Sequence, residues 1–239
     1  MKFDIITIFP HIFDSYFNES ILKRAQDRKK IKISIHNLRD FVFDKHRTVD
    51  DKPYGGGAGM VMKAEPIWKA VSSLVKFRAA GSSASAKLKQ MGKKTKIILL
   101  TPRGRTFNQA TARRYAKLER IIFICGRYEG LDERISKFCD EEISVGDYVL
   151  TGGELPAMTI VDAVARLLPG VIAEESLEEE SFSQHPAPNA QRQLEYPQYT
   201  RPEVFCPKKG VCWKVPKVLL SGDHQKIAEW RERYGKIDK

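Results

Sequence analysis

Apolar and polar positions alternate along the N-terminal part of the chain in a way that predicts short strands followed by helices. Lys2–Phe9 is rich in β-branched and aromatic residues and stops at Pro10, which predicts a first strand. Ile31–Ile35 alternates isoleucine with polar residues and predicts a second, half-exposed strand. After Glu65-Pro66, apolar residues recur on one helical face as far as Val75, so a helix is expected there.

The same alternation continues through the middle of the chain. Short apolar runs predict further strands at Lys96–Thr101, where Pro102 stops the run, at Ile121–Cys125 and at Ile143–Val145. Helical patterns are expected over Gln109–Leu118, Leu131–Phe138 and Leu155–Leu168. Strands and helices that alternate at this spacing predict an α/β fold, with a parallel sheet covered by helices on both faces.

Composition divides the chain into two domains. Five carboxylates fall between Glu174 and Glu180, and prolines follow, which is typical of a linker. We therefore predict a domain over residues 1–172, a linker over 173–187 and a small, mostly helical domain over 188–239. In the last of these, Ser221-Gly222-Asp223 is a candidate N-cap region before a helix that carries Ile227 and Trp230.

The charge balance favours a polyanionic partner. The 239 residues include 41 Lys and Arg against 30 Asp and Glu, a formal net charge of +11. A basic excess of this size makes nucleic acid the leading candidate. Seven basic and no acidic residues fall within the serine-rich stretch 76–96, whose composition suggests a loop.

The chain lacks the sequence features of a membrane or secreted protein. No apolar stretch approaches the roughly 18 residues that a membrane-spanning helix needs. Asp4 interrupts the first apolar run, so the N-terminus does not read as a secretory signal, and a cytoplasmic location is expected. The cysteines at 125, 139, 206 and 212 form no C-x-x-C pair, which predicts four free thiols and no zinc site. Cys125 follows an apolar run and is expected to be buried.

Glycine-rich turns follow several of the predicted strands. Neither a P-loop nor a strand followed by G-x-G-x-x-G is present, which disfavours P-loop and Rossmann-type nucleotide sites. The turns at Pro102–Gly104, Gly126–Gly130 and Val145–Gly153 come instead directly after predicted strands. Because ligands of open α/β sheets bind at the carboxyl ends of the strands, the three turns predict one shared ligand site.

Five motifs, taken together, identify a resemblance. They are His46–Asp51, Pro53–Met60, Cys125–Arg134, Gly146–Met158 and Tyr199–Val204. From Phe9 to about Arg231 the chain resembles the TrmD family, the bacterial tRNA (guanine-N1)-methyltransferases of the SPOUT superfamily. The resemblance implies a deep trefoil knot and a homodimer. It also implies S-adenosylmethionine as methyl donor and tRNA, not DNA, as the partner, methylated at N1 of the guanosine immediately 3′ of the anticodon.

The family pattern assigns roles to particular positions of this sequence. The residues that would bind the donor are Leu100, Pro102, Gly126, Tyr128, Glu129, Gly130, Val145, Gly146, Asp147, Tyr148, Val149, Leu150, Gly153 and Pro156. His46, Asp50 and Ser176 match positions that meet the tRNA, and the resemblance implies that the small domain over 188–239 binds tRNA. Arg166 matches the arginine that would stabilise the guanine O6. The family also suggests a Mg²⁺ requirement, although no metal-ligand cluster is readable in the sequence.

The catalytic base is where this chain departs from the family pattern. The family usually has aspartate immediately before Ser181-Phe182, and this chain has Glu180. Glutamate keeps the carboxylate, so Glu180 is the preferred candidate. Because it adds one methylene, the linker must sit slightly differently, and Glu178 and Glu179 are the alternatives. Two other functions stay open: a SPOUT ribose 2′-O-methyltransferase, and an RNA-binding homologue without activity. The motifs from His46 to Met60 argue against the first of these.

Overall fold

The computed structural model describes residues 1–75, 94–178, 180–182 and 195–235. The chain divides into two compact units, Met1–Ile172 and Ala173–Lys239. Most of the basic stretch 76–96 lies outside the described residues, as do Glu179 and the segment 183–194. In the described part, no helix is long and apolar enough to cross a membrane.

The described strands belong to one large sheet and two small ones. They are β1 (Lys2–Thr7), β2 (Lys32–Asn37), β3 (Asp50–Asp51), β4 (Val61–Met62), β5 (Thr95–Thr106), β6 (Arg120–Cys125), β7 (Glu141–Ser144), β8 (Val204–Lys208) and β9 (Val211–Lys214). The large sheet has the order β2-β1-β6-β5-β7, and its neighbouring strands are parallel. The pairs β3–β4 and β8–β9 are antiparallel.

Helices connect the parallel strands, as such a sheet requires. The described α-helices are α1 (Asp14–Phe17), α2 (Ser20–Asp27), α3 (Ala64–Val75), α4 (Gln109–Ala116), α5 (Glu154–Ala165), α6 (Glu175–Glu178), α7 (Lys217–Leu220) and α8 (His224–Tyr234). The side chain of Asp223, within the predicted N-cap region, accepts a hydrogen bond from the Lys226 amide and caps α8.

The core lies on both faces of the large sheet, which confirms the predicted α/β fold. Successive strand residues point to opposite faces, so Ile98 and Phe123 join one apolar cluster while Ile97 and Ile122 join the other. Helix α5 packs into the first cluster through its buried residues, and α3 packs into the second. This arrangement leaves the ends of the strands free to carry a site.

Several predicted boundaries were wrong, for identifiable reasons. Strand β5 continues through Pro102 to Thr106, because its pairing with β7 shifts register between Leu100 and Arg105 and this irregularity needs no N–H from the proline. The expected α-helix over Leu131–Phe138 is a 3₁₀ helix, Glu133–Phe138, which Asp132 caps through the Arg134 amide. Helix α5 ends at Ala165 rather than at Leu168.

The prediction of four free thiols was wrong for two of them. Cys206 and Cys212 form a disulfide, because β8 and β9 pair as a hairpin and bring the two residues opposite each other. Sequence spacing alone does not reveal such a pairing. Cys125 is buried as predicted, and burial raises the pKa of its thiol well above the usual value. A thiol in this environment is inert.

One carboxylate is fully buried in the large sheet. Asp4 accepts hydrogen bonds from His36 Nε2 at 2.7 Å and Arg120 Nε at 2.7 Å, and Lys2 Nζ lies 3.0 Å from it. Burial by itself would raise the pKa of Asp4, but the hydrogen bonds from His36, Arg120 and Lys2 lower it to about 2. The charged form of Asp4 is therefore part of the folded structure.

Candidate active site

A cavity of about 580 Å³ opens where β5, β6 and β7 of the N-terminal unit end or bend. Its volume falls within the range of small-molecule sites, which is about 300–1,000 Å³. Three chain segments form it: the bend of β5 around Pro102, the turn after β6 and the turn after β7. The structure thus brings together the three turns that the sequence predicted would share a ligand.

Nearly all the residues that the resemblance assigns to the donor line this one cavity. They are Leu100, Pro102, Gly126, Tyr128, Glu129, Gly130, Val145, Gly146, Tyr148, Val149, Leu150, Gly153 and Pro156. Asp147 is exposed and is not among the lining residues. Thr101, Arg127 and Thr151 also line the cavity, and sequence reasoning missed them. Arg127 and Thr151 lie inside two of the motifs, and Thr101 lies between Leu100 and Pro102, which was the signal available.

Close backbone packing sets the distance between the second and third turns. The Gly153 amide donates to the Gly126 carbonyl at 2.9 Å. A Cβ atom at Gly153 would lie 2.7 Å from Cys125 Cα and 3.0 Å from Gly126 N. Real Cβ atoms essentially never approach backbone so closely, so only glycine allows α5 to begin against the end of β6.

A buried polar network joins these turns to the end of β1. Glu154 is 1% exposed, and its Oε2 lies 2.9 Å from Arg127 Nε while its Oε1 accepts from Thr7 Oγ1 at 2.7 Å. The Arg127 guanidinium also donates to the Thr151 carbonyl at 3.2 Å and lies 4.7 Å from the centre of the Phe9 ring. Charge-assisted hydrogen bonds of this kind are stronger than neutral ones and hold geometry. Arg127 and Glu154 lie within two of the motifs, but the sequence assigned no role to them or to Thr7.

The segment that contains the Pro53–Met60 motif braces the second turn. The Glu129 amide donates to the Met60 carbonyl at 3.1 Å, and the Met62 amide donates to the Gly130 carbonyl at 3.0 Å. Gly59 has a φ of +73°, and a Cβ there would lie 2.5 Å from the Glu129 side chain. The Pro53–Met60 motif and the turn after β6 are therefore packed together, with the Glu129 side chain against Gly59.

Backbone strain occurs in the same turn. Tyr128 has a φ of +60°, a left-handed conformation that residues with a Cβ rarely adopt. Strain of this type persists where the surrounding structure enforces it, and it concentrates at ligand sites. The Tyr128 side chain is 47% exposed and lines the cavity.

The residues that the resemblance assigns to tRNA are divided between the two units. Asp50 lies on β3, opposite Met62 of β4, and so is next to the brace of the second turn. His46 is exposed in the loop before β3, where its amide donates to Asp44 Oδ1 at 2.9 Å. Ser176 is exposed on α6 in the C-terminal unit.

The two candidate catalytic residues also belong to different units. Arg166 follows α5 directly, and its amide donates to the Asp162 carbonyl at 3.2 Å. A cation at a helix C-terminus is favoured by the helix dipole. Glu180 is half-buried in the C-terminal unit, beside Ser181, whose Oγ accepts from the Glu195 amide at 3.0 Å. Within the described ranges, no group of three or more His, Cys, Asp and Glu side chains is placed to hold a metal ion.

Comparison with known proteins gives one family. The family described as tRNA (Guanine-1)-methyltransferase TrmD matches residues 1–237. A tRNA (guanine-N(1)-)-methyltransferase of Dictyoglomus turgidum is 52% identical over 234 residues, which cover 98% of this chain and 84% of the relative. The protein of the same name from Geotalea uraniireducens is 51% identical over 235 residues, covering 98% and 85%.

A solved structure agrees with these relatives. The crystal structure of the tRNA (m1G37) methyltransferase from Aquifex aeolicus superposes with a TM-score of 0.73 at 38% identity, covering 98% of this chain and 89% of the other. The five motifs, the cavity that two of them line and these matches lead to one conclusion: the chain belongs to the TrmD family of tRNA (guanine-1)-methyltransferases.

Proposed function

We propose that this chain transfers the methyl group of S-adenosylmethionine to N1 of the guanosine immediately 3′ of the anticodon in tRNA. The observation that carries the proposal is that the three turns with the family's donor residues converge on one cavity, within a chain that matches the family over residues 1–237. The relatives from Dictyoglomus turgidum and Geotalea uraniireducens carry names that state the same base and the same nucleic acid.

The residues of the cavity suit the proposed donor. Leu100, Leu150 and Pro156 offer apolar walls for an adenine ring, and the glycine turns leave backbone amides and carbonyls accessible to it. The carboxylate of Glu129 is available to the positively charged groups of the donor. When bound, S-adenosylmethionine supplies a methyl group on a positively charged sulfur.

The acceptor base imposes two chemical demands on the protein. Guanine N1 carries a proton at neutral pH, and this proton must leave as the new bond from N1 to the methyl carbon forms. Negative charge accumulates on O6 during the same step. The reaction therefore needs a proton acceptor near N1 and a positive group near O6.

We assign the first role to Glu180 and the second to Arg166. A carboxylate is a weak base, but the N1 proton becomes more acidic as the methyl group arrives, so a positioned carboxylate suffices. The hydrogen bonds between Ser181 and Glu195 support this assignment because they anchor the residue that follows Glu180. His46, Asp50 and Ser176 are assigned to contacts with the tRNA.

Several features of the family complete the proposal. We expect a trefoil knot in the N-terminal unit and a homodimer in solution, and we expect the enzyme to work in the cytoplasm on tRNA rather than DNA. Sedimentation equilibrium tests the dimer. Addition of EDTA to the methylation assay, followed by Mg²⁺, tests the metal requirement.

The decisive experiment identifies the methylated nucleoside. The chain is incubated with S-adenosylmethionine and a tRNA transcript that has guanosine 3′ of the anticodon, and the RNA is digested to nucleosides. N1-methylguanosine supports the proposal, and a matched transcript with adenosine at that position should give none. A 2′-O-methyl nucleoside would assign the chain to ribose methylation, and the absence of any product would identify an inactive RNA-binding homologue; either result overturns the proposal.

A further inference from the structure

The β8–β9 hairpin of the C-terminal unit has an unusual surface for a water-exposed element. Phe205 and Trp213 lie directly opposite each other on the two strands, with ring centres 5.8 Å apart. Phe205 is 54% exposed and Trp213 is 61% exposed. Large apolar side chains grouped on a surface mark interaction sites more often than scattered single ones do.

The charge of the hairpin is entirely positive. Lys208, Lys209 and Lys214 lie on its strands and turn, and no acidic residue falls between Val204 and Lys214. In the part of the chain that the structure describes, none of these lysines forms a salt bridge. The hairpin that carries the aromatic pair therefore also offers these lysines to an external anion.

The Cys206–Cys212 disulfide explains how such a small element keeps its form. A two-stranded hairpin is marginally stable in water without a core beneath it. The disulfide joins the strands one residue beyond the aromatic pair, and because neighbouring residues of a strand point to opposite faces, it leaves the aromatic face uncovered. The covalent link holds Phe205 and Trp213 in register.

We propose that this hairpin is an RNA-contacting platform, on which unpaired nucleotides of the tRNA stack against Trp213 and Phe205 while Lys208 and Lys209 neutralise the neighbouring phosphates. Aromatic rings flanked by basic residues are the common means of holding unpaired bases. If the hairpin paired with the same hairpin of a second copy, positive charge would face positive charge. Charge complementarity therefore favours RNA as the partner. The proposal rests on the proposed function, since it takes tRNA as the ligand.

The test replaces the tryptophan with two matched side chains in the full chain. Trp213→Leu keeps an apolar group without a ring and should raise the KM for tRNA about tenfold, because loss of a base–aromatic stack weakens binding by about this amount. Trp213→Phe keeps a ring and should stay near wild type. The kcat at saturating tRNA and the KM for S-adenosylmethionine should not change, and melting curves check that both variants fold.

Salt dependence tests the lysines separately. The double variant Lys208→Gln and Lys209→Gln should reduce the slope of log Kd for tRNA against log salt by about 1.4, since each contact to a single-strand phosphate contributes about 0.7. Lys69→Gln is the control, because Lys69 is already paired with Glu65 at 2.8 Å. The slope for this control should match the wild type.

Two outcomes would overturn the platform. One is a wild-type KM for tRNA in both Trp213 variants. The other is a change in sedimentation of Trp213→Leu without a change in tRNA affinity, which would assign the face to a protein partner. Failure of the proposed function is distinguishable, because the wild-type chain would then form no N1-methylguanosine, whereas tRNA affinity measured by filter binding would still report on the hairpin.

Discussion

The two compact units hold their candidate functional residues in contrasting ways. In the N-terminal unit the cavity lies at the ends of buried strands, and Arg127, Glu154 and Thr7 tie its turns together beneath the surface. In the C-terminal unit the hairpin residues are almost all exposed, and a disulfide and an aromatic pair link the two strands. The pocket is therefore preorganised by the core, whereas the C-terminal residues depend on local bonds.

Substitution of Glu180 has the largest expected effect and tests whether the catalytic base lies in the C-terminal unit. Glu180→Gln should slow single-turnover methyl transfer on the order of a thousandfold, because an amide cannot accept the N1 proton. Binding of S-adenosylmethionine, measured by calorimetry, should be unchanged. Glu179→Gln is the matched control, and near-normal rates in Glu180→Gln together with a loss in Glu179→Gln would reassign the base.

Substitution of Arg127 tests whether the buried Arg127–Glu154 pair stabilises the N-terminal unit and its cavity. Arg127→Met removes the partner of a carboxylate that is 1% exposed, so the free energy of unfolding should fall by about 3 kcal/mol. Chemical denaturation measures the loss, and the affinity for S-adenosylmethionine should fall with it, because the turns lose their link to Glu154.

Two controls make the Arg127 prediction specific. Arg134→Met removes an exposed arginine that is paired with Asp132, and it should leave unfolding nearly unchanged. The double variant Arg127→Met and Glu154→Gln should recover part of the stability, since no charge is then left buried without a partner. Equal losses in Arg127→Met and Arg134→Met would show that burial of the pair does not matter.

Asp4 gives the N-terminal unit a specific acid sensitivity. Its pKa is lowered to about 2 in the folded chain against a usual 3.8, so its contribution is complete above pH 4 and is lost as pH falls towards 2. The shift corresponds to about 2 kcal/mol. Denaturation measured between pH 5 and about 2 should show a steeper loss for wild type than for Asp4→Asn, and parallel curves would contradict the assignment.

Reduction of the disulfide gives the smallest expected effect on the pocket. Cys206→Ser, or treatment with a reductant, should leave the affinity for S-adenosylmethionine unchanged, because the pocket is built within the N-terminal unit alone. Calorimetric titration of oxidised and reduced protein checks this. A weaker donor affinity after reduction would contradict the assignment of the pocket to the N-terminal unit alone.

Sequence patterns predicted the parallel sheet because a strand buried on both faces reads as a short apolar run wherever it lies. Ile121–Cys125 is such a run, and it forms the central strand β6. Pattern reasoning failed where long-range pairing decides the outcome. Strand β5 passes through Pro102 because it pairs with β7 again beyond the register shift between Leu100 and Arg105. The local sequence around Pro102 does not reveal this pairing.

For the candidate site, too, local patterns were predictable from the sequence and long-range contacts were not. The glycine turns were recognisable because each follows a strand, and the motifs identified the family. The sequence did not reveal Thr7 and Glu154, which are 147 positions apart and meet through a hydrogen bond of 2.7 Å. Nor did it reveal that the Met60–Met62 segment braces the turn that carries Glu129.

By itself, then, the sequence determined the fold class, the positions of the turns and the family, because periodicity and motif spacing are local properties. Only the tertiary structure decided which residues share the cavity, which carboxylates are buried and that Cys206 bonds to Cys212. Those facts depend on contacts between distant segments, and such contacts are chosen by packing and by the need to pair every buried polar group.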